Sequence, residues 1–119
     1  MNGQTLNNSS IEKYHHDLEV IRNAASQIIK DFELFGIEIT FSGNEQTAYE
    51  ELKSQIIPVL INLFCKNYST FYALLYRIDI DENKVREILM DSSKENPSEE
   101  LSKLILEREF IKVLFKKFY

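Results

Sequence analysis

The sequence predicts an all-α fold: a single-domain bundle of about five helices, with one short extended connector at 37–41. Three observations carry this. Apolar residues recur at spacings of three and four along most of the chain. Helix start and stop residues fall between those runs, at Ser9, Gly36, Asn44, Ser69, Asp81 and Asn96. The 119 residues, 44% hydrophobic and 28% charged, are enough for one globular core and too few for two.

Residues 1–9 read as a flexible tail, because no hydrophobic periodicity offsets the entropy of ordering them. Residues 10–119 form the expected helical domain. Ser9 with Glu12 three residues on makes a capping-box pattern, and a helix is expected over 10–35, stopped by Gly36. Ile11, Tyr14, Leu18, Ile21, Ala25, Ile28, Phe32 and Phe35 run along it as a heptad seam. Val20, Ala24, Ile29 and Leu34 widen the apolar surface beyond a narrow seam, which favours a helix packed in its own bundle over a homodimeric coiled coil. A monomer or weak homodimer is expected, any dimer seam lying on this helix.

His15 and His16 stand on the same helix among Glu12, Asp17 and Glu19, and two of the i,i+4 pairs there suit a pair of metal ligands. Zinc needs three or four, and these are the two histidines of the chain. A metal-dependent enzyme centred on His15 and His16 is therefore kept only as an alternative. Solvent-facing histidines, with no metal and no cofactor, are the expectation.

Ile37-Glu38-Ile39-Thr40-Phe41 alternates apolar and polar, which marks it as extended, yet a lone strand has no ladder to join. Its apolar residues are expected to cover one end of the core. Ser42-Gly43-Asn44 makes a turn, and Asn44 caps a helix over 44–66. Tyr49, Leu52, Ile56, Val59 and Leu63 align along that helix, with Ile57, Leu60, Ile61 and Phe64 filling in around them. A segment apolar almost all round is expected at the centre of the bundle, with Cys65 as a small core residue. Pro58 removes a helix hydrogen bond at a cost of ~3 kcal/mol in a regular interior and is expected to kink the helix.

A helix over 69–79, capped by Ser69 or Thr70, buries Phe71, Leu74, Leu75 and Ile78. Tyr68, Tyr72 and Tyr76 fall at i, i+4 and i+8 as a second stripe beside that face, with Arg77 next to the last of them. Asp81 and Glu82 start a helix over 82–91, whose inner side is Val85, Ile88 and Leu89. After the polar loop 91–96, Asn96 and Pro97 open the final helix, 97–118, lined by Leu101, Leu104, Ile105, Ile111, Leu114, Phe115 and Phe118. Toward its end Lys112, Lys116 and Lys117 face only Glu109 and interleave with aromatic residues, which suits the negative end of the helix dipole or an acidic partner.

The corner at 69–90 admits three functional readings. Asp79, Asp81 and Asn83 match the first ligands of an EF-hand loop, but Lys84 stands where glycine is needed and Met90 where a bidentate glutamate is needed. A helix-turn-helix fits the apolar spacing of Leu75, Ile80, Val85 and Ile88. Against it, Asp79 occupies a glycine-like turn position, and Glu82 and Glu87 sit among Lys84 and Arg86 on the face that would meet phosphate. An ordinary helical corner is the third.

The segment Leu74-Leu75-Tyr76-Arg77-Ile78-Asp79-Ile80-Asp81-Glu82, with Ile39-Thr40-Phe41-Ser42-Gly43-Asn44 upstream and Leu104-Ile105-Leu106-Glu107-Arg108-Glu109 downstream, resembles a group of short uncharacterised bacterial helical proteins. The likeness covers most of the chain from about Gln27. It implies a helical fold and brings no activity, ligand or catalytic residue.

A net charge of -5 opposes non-specific binding to nucleic acid or anionic lipid. No apolar run approaches the ~20 residues of a spanning helix, and residues 1–10 lack the pattern of a signal peptide. The single cysteine, Cys65, points to a reducing compartment, so the cytoplasm is expected. No Ser-His-acid grouping and no phosphate-binding glycine loop is present. The expected function is a non-catalytic protein-interaction module, adaptor or regulatory, whose contact surface is Tyr68, Tyr72, Tyr76 and Arg77. A DNA-associated regulator using the 69–90 corner is the alternative.

Overall fold

The computed structural model describes residues 17–91, 93 and 96–118. Among the described residues five α-helices follow one another: α1 (Leu18–Glu33), α2 (Ala48–Lys66), α3 (Tyr68–Ile78), α4 (Glu82–Met90) and α5 (Pro97–Phe118). A 3-10 turn, Glu45–Thr47, leads into α2. No strand occurs among the described residues, and none of their helices is long and apolar enough to cross a membrane.

The first described helix begins at Leu18, so the helix expected over 10–35 is not continuous through Asp17. Asp17 has extended backbone angles, and its carboxylate accepts the free N–H groups of Glu19 and Val20 at 3.1 and 3.3 Å. A cap of that kind ends regular helix geometry at the residue that provides it. The expected tail at 1–9, the helix start at Ser9, and His15 and His16 lie outside the described residues. At the other end Gly36, at φ 72°, turns the chain: its N–H bonds to Glu33 and that of Ile37 to Phe32. This pair of bonds satisfies the last carbonyls of α1.

The extended connector has no strand partner, and its backbone is satisfied by side chains of α2 instead. Gln55 accepts from the Thr40 N–H at 2.9 Å and donates to the Thr40 carbonyl at 2.8 Å, while Glu51 takes the Ser42 N–H at 2.8 Å. Ile39 is buried, with Ile37 and Phe41 packed against the core beside it.

The core lies where α1, α2, α3 and α5 meet, around Ile28, Phe32, Ile56, Leu60, Phe71, Leu74, Ile78 and Ile105. Val20 and Ala24 of α1 form a smaller cluster with Phe110, Val113 and Leu114 of α5. Val20 and Ala24 are thus buried with Ala25, Ile28 and Phe32, whereas Leu18 at the start of α1 and Leu34 just past its end are exposed.

α2 runs unbroken through Pro58, whose ring lies on an exposed position. Leu52, Ile56, Leu60 and Leu63 are buried, but of the expected line Val59 is only partly buried and Tyr49 is exposed, and the helix is not enclosed. Ile61, Phe64 and Cys65 are exposed, because the other helices pack only on the Leu52–Leu63 side. Cys65 is thus a surface residue and not a core one.

The α3–α4 corner turns on Asp79, at φ 73° the one non-glycine residue with positive φ among those described. The N–H groups of Asp79 and Ile80 close α3 by bonding to Tyr76 and Leu75, each at 3.0 Å. Ile80 then enters the core, and Asp81 caps α4 by accepting the Asn83 N–H at 2.9 Å.

Candidate functional site

Asn67, and not Ser69 or Thr70, caps α3: its side-chain oxygen takes the Thr70 N–H at 3.2 Å, so the helix begins at Tyr68. From that start Phe71, Leu74, Leu75 and Ile78 face inward and are buried. A helix advances 100° per residue, so Tyr68, Tyr72 and Tyr76 are carried together onto the outer side. All three are exposed, at 53%, 38% and 82% respectively.

These rings are not loose. Phe64, at the end of α2, meets Tyr68 and Phe71 with ring centroids 5.2 Å apart in each case. Tyr72 lies edge-on to Tyr68 at 4.9 Å and to Phe71 at 5.1 Å. Tilted and edge-to-face contacts at these separations are favourable beyond simple burial. The Tyr68 and Tyr72 hydroxyls are 3.2 Å apart, and this hydrogen bond, with partial burial, raises the Tyr72 phenol above its ordinary range. The buried Phe71 therefore anchors an aromatic strip that starts at Phe64 and continues through Tyr68 and Tyr72.

Tyr76 stands beyond the ring cluster, across a small notch that it shares with Tyr72, Leu75, Ile80, Glu82 and Val85. Arg77 turns the other way. Its Nε lies 3.4 Å from Asp31 Oδ1 in α1, so its carboxylate partner is within the chain. The structure thus brings Tyr68 and Tyr72 into contact, sets Tyr76 beside Tyr72, and joins Arg77 to a separate ionic cluster.

That cluster escaped sequence reasoning. Asp31 and Glu109 are both fully buried. Lys112 Nζ is 3.3 Å from Asp31 Oδ2 and 2.7 Å from Glu109 Oε1, and Gln27 Nε2 is 3.1 Å from Asp31 Oδ1. Burial opposes ionisation of Asp31, but the neighbouring Glu109 carboxyl, the charge of Lys112 and the Gln27 amide outweigh it and hold its pKa below the ordinary value. Burial pushes Glu109 up to about 8, helped by the Asp31 charge and only partly opposed by Lys112. The available signal was positional: Asp31 stands beside Ile28 and Phe32, and Glu109 beside Ile105 and Phe110, on faces otherwise apolar.

The basic residues at the end of α5 likewise face more than Glu109. Lys117 pairs with Asp17 at 2.9 Å and Lys116 donates to Gln27 Oε1 at 3.2 Å. The acidic surface they suit is α1 of the same chain.

No family model, curated protein or solved structure matches the chain at a significant level. Function rests on the site alone. A further opening, of about 790 Å³, lies between α1, the start of α2 and α5, with Leu18, Ile21, Tyr49 and Phe110 on its walls. Among the described residues no group of three or more His, Cys, Asp or Glu side chains is placed to hold a metal ion.

Proposed function

We propose that the chain is a non-catalytic protein-interaction module, adaptor or regulatory, whose contact surface is the aromatic strip on α2 and α3. Tyr72 and Tyr76 are its anchors, Tyr68 extends it, and Arg77 lies at its margin, half-exposed and able to exchange Asp31 for a carboxylate of the partner. One observation supports this above the rest: large aromatic side chains lie exposed yet already packed against one another on the buried Phe71. Tyrosine and arginine concentrate binding energy at interfaces, and rings held before contact lose little freedom on binding. We place the module in the cytoplasm as a monomer or weak dimer, in keeping with its exposed free thiol at Cys65.

The test is capture of partners from a lysate of the source cells by the wild-type chain and by Tyr72→Ala and Tyr76→Ala. The reading expects specific partners to be lost from both variants while both stay folded. Retention of the same partners by both variants removes the strip from consideration.

A second reading, a DNA-associated regulator, draws on the α3–α4 corner. Asp79 adopts the left-handed conformation that a glycine would, which lifts one objection to a helix-turn-helix turn. The acidic Glu82 and Glu87 on exposed positions of α4 still oppose phosphate. Binding to duplex DNA that weakens steeply with added salt would favour this reading; no binding at low salt would remove it.

A further inference from the structure

The helix pair α1 and α5 is joined across its buried face by two acids and a shared base. Asp31, in the last turn of α1, has three donors: Gln27 at 3.1 Å, Arg77 at 3.4 Å from α3, and Lys112 at 3.3 Å from α5. Glu109, in the middle of α5, has far less. Lys112 Nζ comes within 2.7 Å of its Oε1, but off the direction of a hydrogen bond, and among the described residues neither carboxyl oxygen has a well-directed donor. Of the other charged groups of α5, Arg108 pairs through Nη2 with Asp79 at 2.7 Å while its buried Nε is left without a hydrogen bond among the described residues, and Lys116 donates to the Gln27 side chain at 3.2 Å.

Two adjacent carboxylates shielded from water cannot both ionise cheaply, and the one with fewer donors keeps the proton. That one is Glu109. Protonated, it becomes a donor to Asp31, which satisfies its own hydroxyl and adds a fourth hydrogen bond to the Asp31 carboxylate. Ionised, it presents a second buried negative charge to Asp31 with a single poorly directed ammonium to offset it.

We propose that Asp31 and Glu109 form a proton-operated latch, in which one proton shared between the two carboxyl groups holds α1 against α5 and its loss to solvent releases them. The release is a simple dissociation: the Glu109 O–H bond breaks, the electron pair stays on the carboxylate, and the proton goes to water. Once the helices part, water enters and Lys112 and Arg77 solvate the freed acids. The open form therefore carries an ionised Glu109 of ordinary acidity. The closed form carries the acid.

The direction of the pH response follows. The Glu109 side chain has an ordinary value of 4.5 in the open form and about 8 in the closed form. Between those values the closed form binds one more proton than the open form, so raising the pH favours opening, by about tenfold per pH unit. Above about 8 both forms are ionised and the dependence ends. The latch responds across neutrality, tight in mild acid and loosened in mild alkali.

The experiment uses the full chain. The Glu109 side-chain carboxyl carbon is followed by NMR from pH 4 to 10. Amide-exchange opening at residues 28–33 and 105–112, corrected for the intrinsic pH dependence of exchange, is measured alongside for the wild type and Glu109→Gln. Glutamine keeps a donor to Asp31 and cannot lose it as a proton. The latch requires a Glu109 midpoint well above 4.5, opening that rises with pH to a plateau in the wild type, and a flat profile in the variant. A midpoint near 4.5, or the same pH slope in both proteins, overturns it. If Glu109→Gln fails to fold, the wild-type titration decides alone.

Discussion

Arg108 of α5 holds Asp79, the left-handed residue of the α3–α4 corner, through an ion pair of 2.7 Å between Nη2 and Oδ2. Two opposed effects meet at this residue. A left-handed backbone costs an ordinary side chain roughly 1–2 kcal/mol, less for aspartate. The ion pair, on a mostly exposed carboxylate, returns up to about 1 kcal/mol.

Asp79→Gly is accordingly expected to change stability by less than about 1 kcal/mol, since relief of the backbone offsets loss of the ion pair. Asp79→Ala loses both and should cost about 1–2 kcal/mol. Urea unfolding of the two variants checks the difference, and equal losses would show that the backbone at 79 is not strained.

Ile56 and Leu60 are completely enclosed between α2 and its neighbours. Either one replaced by alanine should destabilise by about 2–5 kcal/mol, the range for a cavity in a packed core. Ile61→Ala, on the open side of the same helix, should cost under about 1 kcal/mol. The contrast, read by thermal unfolding, tests how far α2 is covered.

Tyr76→Ala is expected to alter stability by no more than about 0.5 kcal/mol, because the ring is 82% exposed. Tyr72→Ala should cost more, about 1–2 kcal/mol, since it loses edge contacts with Tyr68 and Phe71. A loss of several kcal/mol at Tyr76 would make that residue structural and withdraw it from the proposed surface.

Acid should unfold the chain through Asp31. Its pKa is lowered in the folded protein, so the stability it contributes is full above its ordinary value of 3.8 and is lost as pH falls through the lowered one. Asp31→Ala removes the acid that Lys112 and Arg77 both meet and should cost about 3–5 kcal/mol near pH 6. Asp31→Asn should cost less and should flatten the acid limb of the stability profile, which a pH series of thermal midpoints would show.

Helix order and most boundaries were legible in the sequence because each rests on local chemistry. Asp81 before Glu82, Pro97 after Asn96 and Gly36 after Phe35 act within a turn of where they stand. The break at Asp17 was missed because the apolar spacing runs on either side of it, and periodicity does not register a capping side chain. The exposed ends of α2 were hidden for another reason: Ile61 and Phe64 look like core to any local count, and only the arrangement of the other helices leaves them uncovered. Asp31, Glu109, Arg77 and Lys112 lie up to 81 positions apart, so their meeting depends on tertiary packing. The spacing of the tyrosine stripe was legible, but its exposure was not, since it depends on where the last helix packs.

The Gln55 clamp on the connector has a consequence for how copies of this chain behave when crowded. Ile37-Glu38-Ile39-Thr40-Phe41 is β-prone, and a bare extended segment of that kind is a template on which neighbouring chains add as strands and grow into fibrils. Both backbone groups of Thr40 are already engaged by one amide, at 2.9 and 2.8 Å, and the Ser42 N–H is covered by Glu51. Gln55 thus leaves neither backbone group of Thr40 bare to the edge of a neighbouring chain.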